Sequence, residues 1–154
     1  MTLIFFNEIF ILKMEKHTIK HDPLREKTLN LAIRIVKLNQ YLTTKKFEYV
    51  MSKQILRSGT NPGAMVREAA NAESALDFIH KLSIAQKEAG ETLYWLELLC
   101  KTDYLTTIEY NSISNDTEEI MRLLRSSILT KKKRLATNTV SALVIIALIA
   151  FTIF

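Results

Sequence analysis

The sequence predicts an all-α protein, an antiparallel up-down-up-down four-helix bundle with a C-terminal apolar helical extension. Three observations carry this reading. Only three Gly and two Pro punctuate 154 residues, too few for the turns of a strand-rich domain. Apolar residues recur at i, i+3 and i+4 through four successive segments. The connections between those segments are short, which places consecutive helices side by side and antiparallel. Residues 1–21 read as an N-terminal extension, 22–134 as the bundle and 135–154 as an apolar tail.

Residues 1–13, MTLIFFNEIFILK, are apolar but interrupted by Asn7 and Glu8. They lack the basic start and the small-residue cleavage site of a signal peptide, and Met14 offers an alternative start. The first helix opens at Asp22 and Pro23, a cap and first-turn pair, and carries Leu24, Thr28, Leu31, Ile35, Leu38 and Leu42 on one face before ending near Thr43. A second helix begins near Lys46 with Val50, Met51, Ile55 and Leu56. The cluster Gly59, Thr60, Asn61, Pro62, Gly63 then predicts a kink or short break before Met65, Val66, Ala69 and Ala70 resume the face.

Ser74 and Asp77 form a capping pair for the third helix, whose apolar face runs through Phe78, Leu82, Ala85, Ala89, Leu93, Leu96 and Cys100. After a connection at Asp103, Tyr104 and Leu105, the run Thr106-Thr107-Ile108-Glu109 repeats the capping logic. The fourth helix is expected to turn Ile108, Ile113, Ile120, Leu123, Leu124 and Ile128 inward, with acidic residues early and basic ones late, as its dipole favours. The tail at 135–154 holds no charge and as a helix would span roughly 30 Å, one hydrocarbon core. Its Leu, Ile, Val and Phe residues favour insertion by about 3 to 7 kcal/mol before polar costs. The basic cluster Lys131, Lys132, Lys133 and Arg134 just before it sets the orientation of a tail anchor, with a cytoplasmic bundle held at the inner membrane. The competing readings are a tail packed into an oligomer interface and an extension without function.

Those four basic residues supply most of the net charge of +5 and leave the body near neutral. Residues 15–73 hold eleven Lys/Arg against six Asp/Glu, whereas 74–103 hold three against five, so any phosphate-binding surface belongs to the first half. Arg34, Lys53, Arg57 and Arg67 are the candidate nucleic-acid contacts; a solvated helix face is the plainer reading of the same charges. No base-reading motif accompanies them.

The residues of an active site are not recognisable, and the chain is read as a non-enzyme without cofactor or metal. His17, His21 and His80 have no partners at ligand spacing, and Gly59-x-x-x-Gly63 lacks the Lys-Ser/Thr of a phosphate loop. Asp77, Glu88 and Glu91 share a helix with Lys81 and Lys87, where spacing of three or four residues explains them as surface pairs. The single Cys100 excludes an intramolecular disulfide and reads as a buried structural thiol, while Tyr94 and Trp95 read as fillers of a helical interface.

A set of dispersed positions is more specific. Ser52-x-Gln54-Ile55-x-Arg57-Ser58, Gly63-Ala64, Glu68-Ala69, Glu73-Ser74, Asp77-Phe78-Ile79-x-Lys81, Ile84-Ala85-x-Lys87-Glu88-Ala89-x-Glu91-Thr92 and Tyr94-Trp95-Leu96-x-Leu98-Leu99 resemble, in order and spacing, the proteins encoded by intervening sequences of 23S ribosomal RNA genes. The resemblance covers roughly residues 20 to 130, with departures at Asn61-Pro62 and Met65. It implies a four-helix protomer that assembles with itself into a ring, a homopentamer. Such a ring is found in the accessory variability determinant of diversity-generating retroelements, a relative that binds a reverse transcriptase and nucleic acid. Two function classes follow. One is a non-enzymatic oligomeric adaptor for an RNA or protein partner; the other is a membrane tail-anchored bundle that organises a partner at the bilayer.

Overall fold

The computed structural model describes residues 22–153, with side chains through residue 141. Four helices follow one another: α1 (Pro23–Lys45), α2 (Met51–Ala70), α3 (Ala75–Lys101) and α4 (Thr107–Ile153), with no strand among the described residues. The chain is an all-α bundle. Asp22 caps α1 by accepting from the amides of Leu24 and Arg25. Ser74 caps α3 through the amide of Asp77, and Asp77 answers at the amide of Glu73, one residue earlier than a capping box requires. At α4 the box is complete: Thr106 accepts from the amide of Glu109, whose carboxylate accepts from the Thr106 amide and hydroxyl.

Residue pairs between helices run in opposite order along the chain. Asn39 donates to the Ser52 carbonyl across α1 and α2, and the Gly63 position lies against the Thr28 carbonyl. Ser58 accepts from the Thr92 hydroxyl and Glu68 binds Lys81 across α2 and α3. Lys131 sits over the Phe78 ring between α3 and α4, while Lys27 binds Glu119, and Arg34 binds Ser112 and Asp116, between α1 and α4. Leu31, Ile35, Leu42, Ile55, Leu82, Leu96, Leu99, Ile120 and Leu124 fill the centre and are fully buried. Each such side chain contributes about 1.5–3 kcal/mol relative to exposure.

Four expectations are corrected. The helix runs unbroken through Gly59, Pro62 and Gly63, so the short break does not occur. The glycines serve packing instead: a Cβ on Gly59 would lie 2.6 Å from Cγ1 of the buried Ile35, so only a bare Cα lets α1 come this close. Ile108 lies on the outer side of the first turn of α4, 82% exposed, rather than in the core. The start of α2 falls at Met51 and not near Lys46, because residues 46–50 form a turn. Cys100 is half-buried against the core rather than fully enclosed.

Between Lys132 and Ser141 every residue but Leu135 is exposed, since α4 has outrun its neighbours. Among the described residues no helix is long and apolar enough to cross a membrane. Most of the expected membrane segment at 135–154 lies outside the residues whose side chains are described, as do residues 1–21 with His17 and His21.

The glycines separate packing from propensity. Gly59→Ala should lower stability by about 1–3 kcal/mol through overpacking against Ile35. Gly90→Ala, where a Cβ meets nothing within 4 Å, should raise it by about 0.5–1 kcal/mol. Thermal or denaturant unfolding of the two variants checks the opposite signs.

Candidate nucleic-acid interface

Helix α2 carries three cations, Lys53, Arg57 and Arg67, against one carboxylate, Glu68, which Lys81 of α3 already binds at 2.7 Å. The intervals of four and ten residues put all three cations on one outward stripe about 21 Å long, with Thr60 and Ala64 between them. Lys53 is exposed. The Arg57 side chain is 69% exposed and touches Glu91 only loosely, at 3.7 Å, while Glu91 also accepts from the Trp95 indole. Arg67 bends back to donate to the Gly63 carbonyl at 2.8 Å.

Arg34 does not join them. It faces α4, where its guanidinium binds the Ser112 carbonyl and hydroxyl and the Asp116 carboxylate, closing the seam between the first and last helices. Beside it lies a shallow groove of about 250 Å³ over Leu38, Leu105 and Ile113, bordered by Lys37, Tyr41 and Glu109. The basic cluster also divides: Lys131 turns onto Phe78, whereas Lys132, Lys133 and Arg134 are exposed along α4.

The turn between α1 and α2 is built around Glu48, which is buried. Its carboxylate accepts from the amides of Val50, Met51 and Ser52 at 2.9, 2.8 and 2.6 Å. Its own amide reaches back six residues to the Leu42 carbonyl, satisfying an acceptor at the end of α1. Burial pushes the Glu48 carboxyl up, but the amides of Met51, Ser52 and Val50 outweigh it and hold the group below the ordinary carboxylate range. With Glu48 turned in, its neighbours turn out: Phe47 is 73% exposed, at φ 53°, and Tyr49 is 54% exposed. Lys45 and Lys46 stand beside them, with the Lys46 ammonium 5.8 Å from the Tyr41 ring.

Reading Glu48 as a first-turn helical residue conceals this turn in the sequence. The available signal is a carboxylate two to four residues ahead of three amides that need acceptors. The acidic residues of α3 also depart from a simple surface set. Asp77 and Glu91 make the contacts above, but Glu88 is buried, and its Oε2 has no hydrogen-bond partner. The family-pattern pairs resolve within the chain as Arg57 with Glu91 and Glu68 with Lys81. Trp95 packs on the core, while Tyr94 stays exposed in an edge contact with it. On α1, Leu29, Ile33 and Val36 form an exposed apolar row. Among the described residues no group of three His, Cys, Asp or Glu side chains is placed to hold a metal ion.

A family model described as 23S rRNA-intervening sequence protein matches residues 23–126. A crystal structure of a protein of unknown function from the S23 ribosomal protein family of Bacteroides thetaiotaomicron is 56% identical to this chain. The match covers 68% of this chain and 97% of that one, with a TM-score of 0.68. Among curated proteins none matches.

Because its carboxyl is held low, the stability that Glu48 contributes is complete above the ordinary value of 4.5 and is lost as pH falls through the lower folded value. Glu48→Gln should cost about 1 kcal/mol at neutral pH. The gap to wild type should narrow on acidification below 4.5, as denaturant titrations at the two conditions will show.

Proposed function

Since this chain belongs to the 23S rRNA-intervening sequence protein family, we propose that it is a non-enzymatic adaptor, a self-assembling helical bundle that binds an RNA or protein partner. The observation that carries the reading is the row Lys53, Arg57 and Arg67 on the outer side of α2. Cations in line at helical spacing suit successive phosphates of one strand, and they favour RNA over protein as the partner. Nothing at this surface reads a base edge, so recognition through the backbone is what the row supports. Self-assembly, with the pentameric ring as the proposed form, has a surface in the apolar row Leu29, Ile33 and Val36, because a lone bundle gains nothing by leaving it in water.

A second reading, a bundle tethered to the inner membrane, draws on a different observation. Helix α4 continues to Ile153, and no charged residue follows Arg134. Carbonate extraction of cell membranes tests it: retention of the full-length protein supports the tether, and release contradicts it.

In a gel-shift titration, full-length protein should bind RNA at low salt and release it steeply as salt rises. Changing Lys53, Arg57 and Arg67 together to Gln should weaken binding at least about tenfold and lower the salt slope by about 2 to 3. An absence of binding at low salt contradicts the RNA form of the adaptor reading.

A further inference from the structure

We propose that the turn between α1 and α2 is a base-stacking platform for single-stranded RNA, formed by Phe47 and Tyr49 among Lys45, Lys46 and Lys53. The proposal rests on the RNA reading above and specifies the form of RNA bound.

Both rings stand largely in water, 73% and 54% exposed, and so add little to the core. Phe47 also holds the left-handed backbone at φ 53°, which crowds the Cβ of an L-residue and which glycine adopts freely. A bulky aromatic kept there without burial does not serve folding. Strain of that kind is concentrated at functional sites.

The charge around the rings is mainly positive, with Glu109 of α4 near enough to Lys46 to feel its charge. Lys45, Lys46 and Lys53 are exposed, and the only carboxylate between residues 45 and 53 is Glu48, which is buried and occupied by three backbone amides. The surface therefore offers flat apolar faces and ammonium groups, and among the described residues Lys45 and Lys53 carry no ion pair that a phosphate would have to displace. A duplex hides the faces of its bases, whereas a single strand presents them for stacking on aromatic side chains while its phosphates meet lysines. Lys53 links the two features: it follows Tyr49 by four residues and begins the α2 row. A strand stacked at the turn thus leaves along Arg57.

Fluorescence anisotropy with a labelled oligouridylate of about 12 nucleotides, and with a blunt RNA duplex of equal length, tests the platform on the full-length protein. Wild type should prefer the single strand. The double variant Phe47→Gly, Tyr49→Ala should lose single-strand affinity by about tenfold or more, leave duplex affinity unchanged, and unfold no earlier than wild type because glycine relieves the left-handed backbone. Tyr49→Phe, which keeps the ring, should bind as wild type does. The platform is overturned if wild type prefers the duplex, if the double variant binds the single strand undiminished, or if both RNAs are lost equally; the RNA reading survives each of these. If wild type binds neither RNA at low salt, that reading fails and the platform with it.

Discussion

The carboxylate of Glu48 is the constraint on which the candidate site depends. Three amides at the start of α2 have no carbonyl within their own helix to accept them, and one side chain accepts all three. The same residue's amide satisfies the Leu42 carbonyl at the end of α1, so two helix termini are completed by one position. A charged acceptor at a helix N-terminus also meets the favourable end of the dipole. Once Glu48 is committed inward, residues on either side have no inward course, and Phe47 and Tyr49 go to solvent with the lysines. The cap and the exposed surface are consequences of one placement.

The seams of the bundle are held by different physics. Between α1 and α2 the bare Gly59 admits Ile35, and the helices approach through van der Waals contact. Between α1 and α4 the link is polar: Lys27 with Glu119 and Arg34 with Ser112 and Asp116, above a shallow apolar groove. These cations are drawn into the seam, whereas Lys53 and Arg57 of α2 face outward. Exposed pairs of this kind contribute only about 0–1 kcal/mol each, so the seam is also the weaker one.

The buried faces were legible because their periodicity is long and regular. Thr28, Leu31, Ile35, Leu38 and Leu42 lie in the core as the spacing implies, and Asp22, Ser74 and Thr106 cap as their residue types imply. Two kinds of position were not legible. Gly59, Pro62 and Gly63 are breakers by local propensity, but tertiary contact with α1 overrides propensity and needs the missing side chain. The turn at residues 46–50 was hidden because no glycine marks the left-handed position that Phe47 occupies. Of the candidate cations, Lys53, Arg57 and Arg67 share a face that helical spacing could reveal. The diversion of Arg34 to Asp116 depended on which helix packs beside α1, a fact outside local sequence.

Mapping where RNA touches the intact protein tests this account most directly. Single-stranded RNA carrying 4-thiouridine, cross-linked to the full-length protein by near-ultraviolet light and read by mass spectrometry, should label Phe47 or Tyr49 and peptides along the outer face of α2. Labelling confined to α3 and α4, with the turn and α2 unmodified, would contradict it.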